Sequence, residues 1–319
     1  MTNTRVLITG ATGFVGSHLV DYLSSLTALD IYGTRRRRSD MSNLVTPIVC
    51  LDCEITDPAS VASAVQLAKP DLVFHLAAQS YVPESHTAPH HTFTTNVLGT
   101  LNLLVALLRH APEARLLLAG TSEEYGHCFP TDFPLKEYQP LHPLSPYGVS
   151  KVAMELLGCQ FHASYGLHVV TTRAFNHTGP RRGEQFVTSS FAKQVAEIEA
   201  GIRQPIIYVG NLDAKRDWTD VRDVVRAYWL AIHDCLPAKP YNICSGKAHR
   251  IRDILHILQQ QTDNDFTTHA DASRIRPSDI PLLLGDHTMF TAKTGWRPTI
   301  PFHQTMKDLL DYWRERVQH

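Results

Sequence analysis

The chain has 319 residues, of which 43% are hydrophobic and 19% are charged, a composition typical of a globular protein. The formal charge is −1, and no block of like charge exceeds the arginine run at residues 35–38, so neither a nucleic acid nor a membrane is an expected partner. No apolar run reaches the length of a membrane span, and the N-terminus lacks the pattern of a signal peptide. With six scattered cysteines, these features predict a cytoplasmic protein with reduced thiols.

The first predicted element is a buried strand at residues 5–10, and a glycine-rich turn and a helix follow it. In the turn, the first glycine permits a tight bend. The next lets the backbone approach a pyrophosphate, which the helix N-terminus attracts. The order of strand, turn and helix therefore predicts a dinucleotide site. The residues predicted to contact the cofactor here are Gly10, Thr12, Gly13, Phe14, Val15 and Gly16.

The second predicted strand, at about residues 29–33, ends in the arginine run. A site for NAD usually has an acidic residue at this point, which holds the 2′-hydroxyl of the ribose. Arg35 and Arg36 suit the 2′-phosphate of NADP(H) instead, because a guanidinium binds a phosphate through two parallel hydrogen bonds. NADP(H) is therefore the expected cofactor, with NAD(H) as the alternative, and at most one or two of the arginines need to contact it.

Strands and helices continue to alternate through the first half of the chain. Such alternation predicts a doubly wound parallel sheet of the Rossmann type, in which ligands bind at the carboxyl ends of the strands. Cofactor contacts at or after such ends are predicted for Asp52, Cys53, Leu76, Ala77 and Ala78. The predicted strands lie at residues 47–52, 71–78, 115–122 and 168–176, and the predicted helices at 58–68, 92–110 and about 146–165.

The regular alternation of predicted strands and helices ends after Asn176. Loop residues come first, and short helical and strand-like segments follow, with a polar loop predicted at residues 211–217. These fragments are too short for a second doubly wound sheet, so they predict a smaller, mixed α/β C-terminal lobe for the substrate. The predicted domains are discontinuous, with residues 1–176 and 214–246 in the dinucleotide-binding Rossmann domain and residues 177–213 and 247–319 in the substrate lobe.

A tyrosine and a lysine lie four residues apart in the helix predicted at about residues 146–165. This spacing places Tyr147 and Lys151 on one face of the helix, where the ammonium favours the ionised phenol. Such a tyrosine can exchange a proton with a hydroxyl or a carbonyl near neutral pH. Taken alone, the pair is more typical of an ordinary helix surface, because this spacing is common by chance. Its weight comes from the dinucleotide turn and from the hydroxyls of Thr121 and Ser122 at a strand end.

Together these features resemble the extended short-chain dehydrogenase/reductase family over essentially the whole chain. The resemblance implies that Tyr147 is the general acid and base, and that Lys151 lowers the pKa of this tyrosine and holds the nicotinamide ribose. It also implies that Thr121, or Ser122 in its place, hydrogen-bonds the reacting sugar oxygen. Enzymes of this family transfer a hydride between the cofactor and a sugar, so the chain is expected to be an NAD(P)-dependent enzyme.

Within that family, the sequence is most similar to enzymes that convert GDP-mannose into GDP-6-deoxyhexoses. One of their reactions is the NADPH-dependent reduction of GDP-4-keto-6-deoxy-D-mannose to GDP-D-rhamnose, and the other is the 4,6-dehydration of GDP-mannose, which supplies that ketone. The first glycine turn and the short chain favour the reductase. The stretches that resemble the reductase are GATGFVG (10–16), AAQSYVPES (77–85), SPYGVSK (145–151), SFAKQVAEIE (190–199) and YNICSG (241–246), and those that resemble the dehydratase are TSE (121–123), PRRG (180–183), GNLDAKRDW (210–218) and LLGD (283–286).

Glu123 separates the two reactions only in part. Dehydration needs a base that removes the proton at C5, and the resemblance assigns that base to Glu123, whereas reduction needs no such base. A carboxylate that holds the tyrosine loop is an equally good interpretation, so the dehydratase stays the alternative to the favoured reductase. Further alternatives are another nucleotide-sugar epimerase or decarboxylase of the family, or a non-catalytic NADP-binding protein, which the intact Tyr147, Lys151 and Thr121 oppose.

The substrate contacts rest on the same resemblance. The diphosphate of a GDP-sugar is expected at the amide of Asn176, and its guanine at the backbone of Val187. Arg216 and Arg276 suit the phosphates, although a salt bridge with a neighbouring aspartate is the alternative for Arg216. Asp279 completes the predicted substrate-binding set.

The resemblance also implies a homodimer, with a tetramer as the alternative. Family members pack two helices from each subunit into a four-helix bundle, and here these are the helices at 92–110 and 146–165. Leu101, Leu104 and Leu108 fall on one stripe of the first helix, although the core of a single chain explains that stripe equally well.

No metal site is predicted. Cys50 and Cys53 form a single C-x-x-C pair without a second pair, and the eighteen histidines show no spacing typical of metal ligands.

Overall fold

The structure is a computed structural model that describes residues 3–274 and 280–318. The strands in these residues are β1 (Thr4–Thr9), β2 (Leu29–Arg35), β3 (Val49–Asp52), β4 (Leu72–His75), β5 (Arg115–Thr121), β6 (His168–Ala174), β7 (Asn176–Thr178), β8 (Ile206–Val209), β9 (Lys215–Asp220), β10 (Pro240–Ile243), β11 (Ala248–Arg250), β12 (Thr267–Ala270) and β13 (Leu282–Leu283). The helices are α1 (Phe14–Ser24), α2 (Pro58–Ala68), α3 (Val82–Thr87), α4 (Pro89–Phe93), α5 (Gly99–His110), α6 (Pro146–Tyr165), α7 (Val187–Glu199), α8 (Val221–Asp234), α9 (Ile251–Gln259), α10 (Thr288–Thr294) and α11 (Phe302–Val317). A π turn spans Thr94–Leu98, and 3₁₀ turns span Ser122–Glu124, Pro130–Asp132 and Ala272–Arg274.

Seven of the described strands form a parallel central sheet in the order β10-β6-β5-β4-β1-β2-β3. Helices cover both of its faces, so the prediction of a doubly wound parallel sheet is confirmed. From β1 the chain runs outward through β2 to β3, and it then continues at β4 on the other side of β1. The carboxyl ends of β1 and β4 therefore flank the point where the strand order reverses, which is where such sheets leave a crevice.

Successive residues of the inner strands face opposite sides of the sheet, and both sides are apolar. In β1, Val6 and Ile8 pack in a cluster with residues of α1 and α8, whereas Leu7 packs with residues of α2, α5 and α6. Burial of each such side chain contributes about 1.5–3 kcal/mol. This burial on both faces explains why the strands read as continuous apolar runs in the sequence.

The helix predicted at residues 92–110 is part of a longer, interrupted helical run. Among the described residues, Pro89–His110 has the length and apolar composition of a membrane span, with 44% of its most apolar window buried inside the chain. Leu103, Leu104 and Leu107 belong to the core beneath the sheet. Length and composition are weak evidence for a span here, because the core helix of a globular domain meets the same criteria.

The segments after β6 build a smaller, mixed α/β lobe, as predicted. β11, β9 and β13 form a second sheet, β7 pairs with β9, and β8 pairs with β12. Phe191 of α7, Ile254 of α9 and Leu309 of α11 meet in its core. Within residues 214–246, β9 lies in this second sheet, whereas α8 and β10 pack with the central sheet. The domain boundaries stay a prediction.

The prediction of a polar loop at residues 211–217 is wrong for its second half, because Lys215–Asp220 forms strand β9. Asp217 is buried, and its carboxylate accepts hydrogen bonds from the backbone amides of Ser245 and Gly246 at 2.8 and 2.9 Å. In the sequence, charged residues such as Asp217 suggest an exposed loop. Here the carboxylate is buried because it accepts hydrogen bonds from backbone amides.

Candidate active site

A cleft opens at the carboxyl ends of β1, β4, β5 and β6. The predicted site residues that line it are Gly10, Gly13, Phe14, Val15, Gly16, Leu76, Ala78, Thr121, Ser122, Glu123, Tyr147, Lys151 and Asn176. The described site residues that do not line it are Thr12, Arg35, Arg36, Asp52, Cys53, Ala77, Val187 and Arg216. Arg276 and Asp279 lie outside the described residues.

The glycine turn between β1 and α1 has no room for larger side chains. Gly10 has φ +71°, and a Cβ atom there would lie 3.1 Å from the backbone of Ala77. A Cβ atom on Gly16 would lie 2.3 Å from the carbonyl oxygen of Gly10. No side chain caps the N-terminus of α1 at Gly13, so its backbone N–H groups face the cleft, where they can bind an anion such as a phosphate.

The arginine run begins at the end of β2, beside the end of β3. Strand register places Arg35 opposite Asp52, and the Arg35 guanidinium lies 3.1 Å from the Asp52 carboxylate. Arg36 is exposed. Cys53 is buried, and burial raises the pKa of its thiol to about 11. The residues predicted to recognise the 2′-phosphate thus lie at the end of β2, beside β3, and do not line the cleft.

Buried hydrogen bonds hold the loop after β4 against the glycine turn. The backbone amides of Leu76 and Ala77 each lie 3.1 Å from the hydroxyl oxygen of Thr9, to which they donate. The His75 ring bridges Thr9 and Thr100, at 2.8 and 3.0 Å. Burial lowers the pKa of His75 to about 3, with the charge of Lys151 acting in the same direction, so the ring is neutral near pH 7. This bridge was not apparent from the sequence.

The π turn buries Asn96 beneath the same loop. Its amide nitrogen donates to the carbonyl oxygen of Gln79 at 3.0 Å and to the Ser150 hydroxyl at 2.9 Å, while its carbonyl oxygen accepts from the Gln79 amide at 2.8 Å. The Ser150 hydroxyl in turn donates to the carbonyl oxygen of Tyr147 at 2.7 Å. The loop that borders the cleft and the helix that carries Tyr147 are therefore tied together.

Helix α6 places Tyr147 and Lys151 side by side in the cleft, as their spacing predicts. The Ser145 side chain caps the helix by accepting from the Gly148 amide at 3.0 Å. The Lys151 ammonium lies 5.9 Å from the centre of the Tyr147 ring and donates to the carbonyl oxygen of Ala119 at 2.8 Å. The Tyr147 hydroxyl is hydrogen-bonded to Thr121. Tyrosine, lysine and threonine thus form one contiguous group.

Burial dominates the ionisation of this group. It raises the pKa of Tyr147 above its usual value, although the hydrogen bond to Thr121 acts in the opposite direction. This is the reverse of what the lysine alone predicts, because removing a phenolate from water outweighs the attraction of the ammonium. Burial also lowers the pKa of Lys151 to about 8. At neutral pH the tyrosine is therefore a neutral proton donor beside a charged lysine.

The 3₁₀ turn after β5 carries Ser122 and Glu123 to the cleft wall. Ser122 is buried, and Glu123 is half-buried with its backbone amide donating to the Thr121 hydroxyl at 3.3 Å. Both side chains border the space beside Tyr147, as expected of groups that contact a substrate.

The cleft wall beside Phe14, the first residue of α1, contains residues that were not among the predicted sites. The His177 ring stacks on Phe14 with 6.1 Å between ring centres, and the Arg182 guanidinium lies over the rings of Phe14 and Phe186. Burial lowers the pKa of Arg182 to about 10, so it remains a cation. Beside them, the carbonyl oxygen of the Asn176 side chain is buried and has no hydrogen-bond partner among the described residues. This wall therefore offers a cation and an acceptor to a ligand.

The comparisons with known proteins agree with this geometry. The sequence model of a family described as GDP-mannose 4,6 dehydratase matches residues 7–309. The chain belongs to this family. The predicted resemblance is thereby confirmed, as is the prediction of an NAD(P)-dependent enzyme of the short-chain dehydrogenase/reductase type.

Individual relatives of the family catalyse two different reactions. GDP-6-deoxy-D-mannose reductase of Pseudomonas aeruginosa is 33% identical over 318 residues, covering 98% of each chain. GDP-mannose 4,6 dehydratase 2 of Arabidopsis thaliana is 30% identical, covering 96% of this chain and 85% of the relative. The solved structure of RMD from Pseudomonas aeruginosa complexed with NADPH superimposes with a TM-score of 0.86 at 32% identity, covering 98% of this chain and 100% of that one.

Val187 and Arg216, which were predicted to bind the substrate, lie in the small lobe and do not line the cleft. Val187 is the first residue of α7. Arg216 on β9 is buried and donates to the carbonyl oxygens of Lys215 and Ile280 at 2.9 and 2.6 Å.

Among the described residues, no group of three or more His, Cys, Asp or Glu side chains is arranged to hold a metal ion.

Proposed function

We propose that the chain is the NADPH-dependent reductase that converts GDP-4-keto-6-deoxy-D-mannose to GDP-D-rhamnose. The observation that carries this proposal is the match to the Pseudomonas aeruginosa reductase, which extends over 98% of both proteins. The Arabidopsis dehydratase is 30% identical and is covered to 85%. The glycine turn, which resembles that of the reductase, supports the same choice.

The cleft fits a dinucleotide. The glycine turn leaves the N-terminus of α1 open to a diphosphate, and Arg35 and Arg36 stand where a 2′-phosphate would distinguish NADP(H) from NAD(H). The buried nitrogen Nε of Arg35 has no hydrogen-bond partner among the described residues and can donate to such a phosphate. The NADPH complex of the Pseudomonas aeruginosa structure supports the same choice.

NADPH supplies the hydride that C4 of the ketone accepts, and the chain's own residues handle the proton and the geometry. Tyr147 donates its proton to the C4 oxygen, and the hydroxyl of Thr121 hydrogen-bonds the same oxygen and orients it. The charge of Lys151 stabilises the resulting phenolate until it is protonated again from solvent. The raised pKa of Tyr147 supports reduction, because a proton donor must be protonated before the reaction begins.

We infer that the small lobe holds the nucleotide part of the substrate. Asn176, whose side-chain oxygen has no partner among the described residues, and the cationic Arg182 both line the cleft. Arg216 on β9 and Val187 at the start of α7 belong to the small lobe. Arg276 and Asp279 are proposed to act with them. Arginine suits a diphosphate because its fork of N–H donors matches phosphate oxygens.

The second candidate is the 4,6-dehydratase, and the position of Glu123 favours it. Dehydration requires oxidation at C4, removal of the C5 proton, loss of water from C6 and return of the hydride to C6. Glu123 lines the cleft beside Tyr147 and is a carboxylate of the kind that could remove the C5 proton.

We also infer a cytoplasmic homodimer, with a tetramer as the alternative. Leu104 is fully buried in the chain's own core, so the predicted leucine stripe is largely internal. Exposed apolar residues of these two helical runs include Leu98 of the π turn before α5 and Val149 and Leu156 of α6, at 50%, 41% and 60% exposure. Because the π turn and α5 both pack against α6, we propose that these side chains contact a second copy.

The deciding experiment supplies the purified chain with each sugar. With NADPH and GDP-4-keto-6-deoxymannose, we expect NADPH absorbance to fall and the product to be the C4 alcohol. With GDP-mannose and NADP(H), we expect no loss of water. The Tyr147→Phe variant is the control for contaminating activity. Water loss from GDP-mannose without oxidation of NADPH on the ketone would establish the dehydratase instead.

A further inference from the structure

Two consecutive glutamates follow Thr121, and they lie in different surroundings. Glu123 lines the cleft, whereas Glu124 is fully buried and does not line it. Neither candidate reaction gives a role to Glu124. A buried carboxylate is unfavourable unless it is hydrogen-bonded or paired with a cation, so the groups around Glu124 indicate what it does.

The first partner of Glu124 is the backbone of Thr121. The Thr121 amide donates to oxygen Oε1 of Glu124 at 2.7 Å, and the Thr121 hydroxyl accepts from the Glu123 amide at 3.3 Å. This reciprocal arrangement is a capping box, which holds both ends of the turn. A Cβ atom on Gly120 would lie 2.5 Å from oxygen Oε1 of Glu124. The strand end that presents Thr121 therefore depends on a glycine that leaves room for this carboxylate.

The second partner is Arg173 on β6, whose charge is already matched. Nitrogens Nε and Nη2 of Arg173 donate to the two carboxylate oxygens of Glu155 at 3.0 and 2.6 Å, and Nη1 donates to the carbonyl oxygen of Glu137 at 3.0 Å. Glu124 lies 3.5 Å from Arg173, but its oxygen Oε2 accepts no hydrogen bond from the described residues. One arginine thus stands between two carboxylates and is bound in bidentate fashion to only one of them.

The third partner is the ammonium of Lys151. It donates to the carbonyl oxygen of Ala119, two residues before Thr121 on β5, so both buried groups are anchored at neighbouring positions of one strand. Burial lowers the pKa of Lys151 to about 8, and the negative charge of Glu124 opposes this effect. Burial raises the pKa of Glu124 to about 8; the charge of Glu155 acts in the same direction, and Lys151 acts in the opposite one.

The formal charges of this cluster depend on the state of Glu124. With Glu124 protonated, as its pKa of about 8 implies at neutral pH, Glu155 and Arg173 balance each other. Once Glu124 ionises, the three groups sum to −1, and the charge of Lys151 brings the total to zero. Tyr147 is the remaining titratable group that the charge of Glu124 reaches. The cluster therefore links the buried carboxylate electrostatically to both Tyr147 and Lys151.

We propose that Glu124 is a positioning residue for the reaction, whose hydrogen bond holds the turn that presents Thr121 and whose carboxylate, once ionised, is the buried counter-charge of Lys151. The proposal rests on the proposed function, in which Lys151 and Thr121 act. As the pH rises, ionisation of Glu124 places a negative charge near Lys151 and delays the loss of its proton.

Two variants separate the charge from the hydrogen bond. Glu124→Gln keeps the length of the side chain and an oxygen that can accept from Thr121, but it removes the charge. Glu124→Asp keeps the charge but withdraws the oxygen from Thr121. NADPH binding and turnover are expected to fall as the pH rises, and we call this fall the alkaline limb. In Glu124→Gln we expect the limb to lie roughly one pH unit lower than in the unaltered protein. In Glu124→Asp we expect the limb to stay in place while turnover falls.

Glu155→Gln is the matched control, because it removes the same charge from the cluster but makes no contact with Thr121. It is expected to lower the melting temperature but not to move the limb down, because loss of the Glu155 charge favours ionisation of Glu124. An unshifted limb in Glu124→Gln would overturn the proposal, as would the absence of an alkaline limb in the unaltered protein. If Glu124→Gln does not fold, a limb that shifts down in Glu124→Asp would overturn it equally.

NADPH binding is followed by fluorescence in the absence of any sugar. If the protein binds NADPH with the expected limb but reduces no GDP-sugar, the proposed function fails while the role of Glu124 is still decided by the binding data.

Discussion

The guanidinium carbon of Arg182 lies 3.5 Å from the centre of the Phe186 ring. Arg181, the preceding residue, lies elsewhere, with its nitrogen Nη1 2.7 Å from the Asp21 carboxylate on α1. Two adjacent arginines of one loop therefore differ in their contacts. Arg181 ties the loop to the first helix, whereas Arg182 offers its charge to the cleft.

Replacement of Arg182 by Leu is expected to weaken ligand binding. A hydrogen bond to a charged group is worth about 1.5–3 kcal/mol, which corresponds to roughly a 10- to 100-fold loss of affinity. Titration with NADPH and with GDP, each alone, shows which ligand depends on the arginine. Arg181→Leu is the matched control, with both affinities retained and the melting temperature lowered. Equal losses in the two variants would assign Arg182 to the fold rather than to the ligand.

Replacement of Tyr147 by Phe is expected to lower kcat by roughly 10²- to 10⁴-fold, because it removes the proton donor. NADPH affinity should change little, since the ring and Lys151 remain. The matched control is Tyr125→Phe, which deletes another buried hydroxyl, one that donates to Asn242 at 2.7 Å away from the cleft. That variant should lose about 1 kcal/mol of unfolding free energy and keep its kcat. Steady-state kinetics and urea unfolding report the two effects, and an unchanged kcat in Tyr147→Phe would refute the assignment.

Replacement of Glu123 by Gln distinguishes the two candidate reactions. Reduction of a 4-ketone requires no base at C5, so we expect the reductase activity of this variant to stay within a few-fold of the original. Dehydration requires that base, so a dehydratase would lose roughly 10²-fold or more. The measurement is turnover of both sugars by the same preparation. A large loss of ketone reduction would show that Glu123 takes part in reduction after all.

Replacement of His75 by Gln is expected to change the pH dependence of stability. Burial lowers the folded-state pKa of His75 to about 3, against about 6.5 in the unfolded chain. The unfolded state therefore binds more protons between these values, so the contribution of His75 is present above pH 6.5 and is lost as the pH falls toward 3. The variant should lose less unfolding free energy than the unaltered protein between pH 7.5 and 5, measured by urea unfolding. Exposed His90→Gln is the control, and identical losses in all three proteins would contradict a neutral, buried His75.

Replacement of Leu156 by Asp is expected to convert the dimer into monomers, since it places a charge in the proposed apolar interface. Leu67 on α2 provides a matched control, because both leucines are 60% exposed. Leu67→Asp should leave the dimer intact. Sedimentation velocity at micromolar concentration measures the outcome, and a dimer that survives Leu156→Asp would place the interface elsewhere.

The bounds of α6 illustrate how far local signals reach. The helix predicted at about residues 146–165 spans Pro146–Tyr165, with Ser145 capping its start and Gly166 ending it at φ +76°. Strand β9 illustrates the opposite case. Its buried Asp217 is satisfied by Ser245 and Gly246, which lie far along the chain, so no window of sequence around it indicates a strand.

The sequence by itself determined the glycine turn, the alternation of strands and helices, and the spacing of Tyr147 and Lys151. Each of these depends on contacts within a few residues, which backbone geometry imposes wherever the segment folds. Only the tertiary structure decided that Arg182 rather than Arg181 faces the cleft, and that Glu124 lies buried near Arg173. These outcomes depend on which distant segment packs against each side chain, and a buried charge is positioned by partners that the local sequence does not contain.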